Sequence, residues 1–177
     1  MHFILIKTEQ ANLQYCIDVL KMLLGNYIDI DLKEDILKIT AQYENQEIID
    51  CIRSLENDLN TEISCYLGQN EYEYEAIIET FKSIGYGQYN LKKLIYNLND
   101  SFSCSKILDY LLDSSGINEQ IIISIARADL NISKASNILF MHRNTLLYKI
   151  ERFYELKGFD LKSFWDIYLL VKLINLK

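Results

Sequence analysis

The residues between 131 and 153 are the ones whose types and spacing could do specific chemistry. Leu146, Ile150 and Phe153 recur at i, i+4 and i+7, as the buried side of a helix does. Arg143, Asn144, Thr145, Leu147, Tyr148 and Arg152 are left for its surface. An arginine fork matches the guanine edge in the major groove, and an asparagine amide matches adenine. Threonine and tyrosine can reach phosphates or thymine methyls. The helix N-terminus adds backbone N–H donors for a phosphate. The chemistry on offer is the reading of duplex DNA. Periodicity alone favours a purely structural helical hairpin, since helical hairpins are common and few bind DNA.

Reading DNA in this way needs two short helices joined by a tight turn. Ile132-Ser133 opens the first, with Ser133 as its expected N-cap and Ala135, Ile138 and Leu139 facing inward. Ala135 and Ser136 are small, so the two helices can approach closely. Phe140-Met141 closes the first helix after about two turns. The second starts near His142 or Arg143 and runs toward Leu156, where Gly158 stops it. A last helix, 161–174, is apolar on so many faces that it must be deeply buried or face a partner.

Other candidate sites reduce to structure. His142 has no adjacent Asp, Cys or second His at ligand spacing, so it should cap or pack at the helix start. Glu71, Glu73 and Glu75 alternate with Tyr72 and Tyr74 and read as an exposed acidic loop entering a helix. Gly85-Tyr86-Gly87 lacks the third glycine of a dinucleotide fingerprint, with Asn90 in its place, and reads as a loop. The 13 tyrosines are scattered, as packing residues are. Cys16, Cys51, Cys65 and Cys104 lie far apart without a C-x-x-C, which implies reduced thiols and neither a disulfide framework nor a zinc site. No catalytic set, metal or cofactor is expected, and the chain does not read as an enzyme.

The chain has 177 residues, half of them hydrophobic, with no proline and six glycines. That is globular composition for one or two domains, and it favours helices. The formal charge is −7 but unevenly placed. Residues 117–177 carry nine basic and six acidic side chains, a balance of +3, which leaves −10 for the first 116. An acidic front and a mildly basic back suggest two parts with different partners. The early apolar run HFILIK is followed by Glu9 and is not a signal peptide, and the stretch 164–174 is interrupted by Asp166 and Lys172. A cytoplasmic protein without a membrane partner is expected.

Along the first half, strands are expected near 3–6, 27–32, 36–43 and 62–67. Helices are expected over 12–24, stopped by Gly25, from Asn45 with Ile48, Ile49, Ile52 and Leu55 on one face, and over 72–84. The order β-α-β-β-α-β-α suggests a small α/β sandwich with an antiparallel or mixed sheet. The Gly85–Gly87 pair marks the boundary, giving domains 1–87 and 88–177, with everything after Gly87 helical. The fold class is α+β: an α/β sandwich followed by an all-α domain with a helix-turn-helix at about 132–156.

The segment N-I-S-K-A-S-N-I-L-F-M-H-R-N-T-L-L-Y-K-I-E-R-F-Y-E-L-K-G-F-D-L resembles the C-terminal helix-turn-helix of PucR/CdaR-type bacterial transcription regulators. The shared marks are the small-residue pair, the L-F-x-H-R-N-T-L core, then Y-R/K-I/L and a later G-x-D-L. His142, Arg143, Asn144, Thr145, Leu146, Tyr148, Lys149, Ile150, Gly158 and Asp160 match in register, and the likeness extends from Gln120 to the C-terminus. The resemblance implies that 142–152 is a recognition helix. The implied DNA-contacting residues are Ser133, Lys134, His142, Arg143, Asn144, Thr145, Leu147, Tyr148, Lys149 and Arg152. Leu147, Lys149, Ser136 and Glu151 depart from the usual pattern. Ile63–Gly68 and the segment 74–76 are similar to the degenerate GGDEF-like domain that often precedes this module. No GG(D/E)EF signature is present, so the implied role is sensing, dimerisation or scaffolding. The upstream sensor domain common in the family is expected to be missing. The implied partners are double-stranded DNA and a second copy of the chain, with the effector unassigned. The alternative is a degenerate homologue acting as a scaffold that does not bind DNA.

Overall fold

The structure is a computed structural model in which residues 2–24, 29–33, 35–41 and 45–177 are described. The chain divides into two compact units, Met1–Asn97 and Leu98–Lys177.

In the first unit, strand β1 (His2–Lys7) lies at the centre of a five-stranded sheet of order β2-β3-β1-β4-β5. β1 pairs antiparallel with both β3 (Ile36–Ala41) and β4 (Ser64–Gly68). β2 (Asp29–Lys33) pairs antiparallel with β3. With helices α1 (Gln10–Leu24) and α2 (Asn45–Leu59) between them, these strands make a split β-α-β-β-α-β motif. Side chains alternate across a strand, and β1 is buried on both faces. Ile4 and Ile6 join Leu13, Cys16 and Leu20 of α1 and Ile52 and Leu55 of α2 in one core. Phe3 stacks on Tyr66 and meets the edge of Tyr74, while Tyr66 meets Phe81 of α3 (Glu71–Ser83). A Cβ on Gly68 would lie 2.1 Å from the Phe3 ring, so this strand end needs glycine.

Several expectations need correction. A fifth strand, β5 (Gln88–Tyr89), follows Gly87 and pairs parallel with β4, so the chain after Gly87 is not all helical; the sheet is mixed, one of the two expected forms. β5 and helix α4 (Leu91–Asn97) belong to the first unit, which therefore runs past the glycine pair. Glu73 is buried rather than in an exposed loop. Its carboxylate accepts the Tyr66 hydroxyl at 2.5 Å and the Gln69 N–H at 3.2 Å. Gly25 and residues 27, 28, 42 and 43 lie outside the described residues, as does the side chain of Ile48.

The second unit is helical: α5 (Ser101–Leu112), α6 (Glu119–Arg127), α7 (Ile132–Ile138), α8 (Arg143–Lys157) and α9 (Phe164–Leu176). Asp100, Asn118, Asn131, His142 and Ser163 cap the five N-termini with side-chain acceptors. α5 packs on α9, α6 on both α7 and α9, and α7 on α8. Leu169, Leu170 and Leu173 are fully buried on one side of α9. Phe164, Trp165 and Tyr168 are exposed on the other, with Trp165 and Tyr168 stacked at 5.4 Å. The last helix is thus both a core element and the bearer of an aromatic patch.

Candidate nucleic-acid interface

α7 and α8 form two helices joined by a tight turn. Asn131 is the N-cap of α7, its side chain accepting from the Lys134 N–H at 3.0 Å. Ser133 lies inside the first turn and is exposed, so it is not the cap. Ala135 and Ser136 are buried, which lets the helices close up, and the Ser136 hydroxyl is satisfied by Ser133 O at 2.9 Å.

The turn has a defined hydrogen-bond pattern. Met141 N–H donates to Ser136 O at 2.9 Å and Phe140 N–H to Asn137 O at 3.2 Å. This is a Schellman ending, and Phe140 sits at its left-handed position with φ +50°. A bulky residue there costs about 1–2 kcal/mol relative to glycine. Phe140 is also 100% exposed.

His142 then caps α8, its Nδ1 accepting from the Asn144 N–H at 3.2 Å, which is the capping role expected from its isolation in the sequence. Leu146, Ile150 and Phe153 are fully buried and fix the inner side of α8, and Gly158 ends the helix with φ +72°. Arg143, Asn144, Thr145, Tyr148 and Arg152 are exposed, and Leu147 is half-buried at the margin. Ser133 and Lys134 are exposed on α7. Lys134, Arg143 and Arg152 form no ion pair among the described residues. Two exposed carboxylates, Glu151 and Glu155, share the outer surface of α8. At ~1.5 Å per residue they lie roughly 12 and 18 Å along the helix from Arg143, away from its N-terminal end.

Lys149 is not grouped with these residues. Its ammonium donates to Gly116 O at 2.8 Å, on the turn before α6. Lys157 does the same one helical face along, donating to Tyr110 O at 2.6 Å with its charge 3.9 Å above the Tyr110 ring. Both lysines tie the inner edge of α8 to the segment 110–116, where like carbonyls attract a cation. The residue that sequence reasoning overlooked is Phe140. Its signal was present: a phenylalanine directly after Leu139, at the position where a helix ending in this way takes glycine or asparagine.

Among the described residues no group of three His, Cys, Asp or Glu is arranged to hold a metal, and no helix is long and apolar enough to cross a membrane. No curated protein matches the chain. The crystal structure of a regulator of polyketide synthase expression from Bifidobacterium adolescentis has a similar fold, with a TM-score of 0.50 at 13% identity over 98% of this chain and 78% of that one. Residues 122–172 match the PucR C-terminal helix-turn-helix domain. The matched residues run from within α6 into α9 and take in α7 and α8 as the paired helices of a PucR-type helix-turn-helix.

Proposed function

We propose that this protein is a sequence-specific regulator of transcription that binds double-stranded DNA through α8. The observation that carries the reading is the division of α8. Three apolar residues pin one side to the core, while Arg143, Asn144, Thr145, Tyr148 and Arg152 stand on the other, with neither arginine ion-paired among the described residues. A recognition helix places its N-terminal residues on base edges. Arg143 and Asn144 then read bases, and Ser133, Lys134 and Thr145 contact the backbone. Leu147 sits at the groove edge. Lys149 is reassigned to positioning the helix. The first unit acts without catalysis, in sensing, dimerisation or scaffolding, as its resemblance to a degenerate GGDEF-like domain suggests. A homodimer would present two recognition helices one DNA turn apart.

Glu151 and Glu155 favour a second reading, a protein scaffold with the same fold, because carboxylates on that helix repel phosphate. Selection of duplexes from a randomised pool by the full chain separates the two. The DNA reading expects enrichment of an inverted repeat and sedimentation as a dimer. The scaffold reading expects no enriched sequence.

A further inference from the structure

We infer that Phe140 is a DNA-contacting residue that places its phenyl ring against a thymine methyl beside the first turn of α8; this rests on the DNA-binding reading above. Five residues other than glycine have positive φ in the described chain: Asn60, Ser114, Asp129, Leu130 and Phe140. Asn60 and Asp129 are of the type that visits this region at little cost, and Ser114 is small and polar. Leu130 is half-buried, so its packing offsets its backbone. Phe140 alone combines the left-handed conformation with an apolar side chain that is 100% exposed. Nothing within the described chain offsets it. Glycine would serve the turn better and would expose less apolar surface. Strain and exposure together at one residue point to a contact made outside the folded chain.

The surroundings select the partner. Phe140 lies two residues before the His142 cap and three before Arg143, which is exposed and forms no ion pair among the described residues. Ile138, expected to face inward, is 48% exposed beside it, so the turn carries apolar surface next to the cationic first turn of α8, a pairing that suits a base edge flanked by phosphates. Within the major groove the apolar feature available to a phenyl ring is the thymine methyl.

The test uses the full chain and the duplex it selects from a randomised pool. Phe140→Gly should fold and melt at a higher temperature than the parent, while binding that duplex about tenfold more weakly, the size of one lost base-edge contact. The log–log salt slope should not change, because no phosphate charge is lost. Replacing thymines one at a time by deoxyuridine should find one position that weakens the parent but not the Phe140→Gly variant. Phe140→Leu should fall between the two. Unchanged affinity in Phe140→Gly would overturn the inference. So would weaker binding with no thymine position showing this loss of sensitivity, or a change in sedimentation, which would assign the ring to a protein interface. If the parent chain selects no duplex at all, it is the DNA-binding reading itself that fails.

Discussion

The two units of this protein differ in how many of their cations are matched within the fold. In the first, Lys33 meets Asp31, Lys38 meets Glu71, Arg53 meets Asp50 and Lys82 meets Glu79, while Lys7 and Lys93 donate to carbonyls. In the second, Lys177 pairs with Glu119, and Lys149 and Lys157 are bound to carbonyls. Lys134, Arg143 and Arg152 form no ion pair among the described residues. A net charge of −7 would argue against a nucleic-acid surface, but the total does not decide it. What decides it is which cations already have a local partner, since a charge matched within the fold has little left to offer a phosphate.

The largest effect that tests this contrast is expected at Arg143. Arg143→Ala should lower affinity for the selected duplex by about 1–3 kcal/mol while leaving the melting temperature nearly unchanged. Binding to scrambled DNA should fall much less. Equal loss on both sequences would move Arg143 from base reading to backbone contact, and no loss on either would remove the distinction between the two units.

Next come the two tethering lysines. Lys149→Met and Lys157→Met should each reduce the stability of the second unit by about 1 kcal/mol, the value of a partly exposed hydrogen bond to a charged donor. Their log–log salt slope for DNA binding should match the parent's. A slope shallower by about 0.9 would mean that the lysine touches a phosphate, as its place in the motif first suggested.

Much of this arrangement was legible in the sequence, and the misses have identifiable causes. The order of strands and helices in the first unit followed from apolar spacing. β5 escaped because two residues carry no period. Asn131 and Ser133 are both cap-forming residues two positions apart, and side-chain preference cannot choose between them. Glu73 looked solvated because its partner, the Tyr66 hydroxyl, is reached across the turn between β4 and α3, whose geometry residue types do not give. Lys149 is different, since its position could have been read. At ~100° per residue it lies about 60° from Leu146, on the inner flank of α8. Its match to the family motif, rather than its angle, is what implied a DNA contact.

A smaller effect is expected from adding charge where the helix has none. Leu147 lies about 100° from Leu146 and is half-buried at the margin of α8. Leu147→Arg should steepen the salt slope by up to about 0.9 and raise affinity for random DNA more than for the selected site. An unchanged slope in a folded variant would mean that this flank does not face the duplex, and the scaffold reading would gain.

The smallest effect is expected from removing a cation in the first unit, and it is the control that the contrast requires. The Lys38 ammonium is 2.5 Å from the Glu71 carboxylate and 4.0 Å from the centre of the Tyr74 ring. Its side chain is 14% exposed, so the stem is largely covered while the carboxylate partner is 62% exposed. Methionine keeps the length and apolar stem of lysine and removes the charge. Lys38→Met therefore loses an ion pair open to water on one side and a cation–ring contact, together worth about 1 kcal/mol or less. Part of that is regained because the ammonium no longer has to be desolvated. The variant should melt within a few degrees of the parent. On DNA it should be indistinguishable in affinity, discrimination and salt slope, although it lowers the net charge by the same single unit as Arg143→Ala. Equal losses in the two variants would mean that the field of the whole chain governs binding. A loss confined to Arg143→Ala would place the effect in the local partnering of each cation.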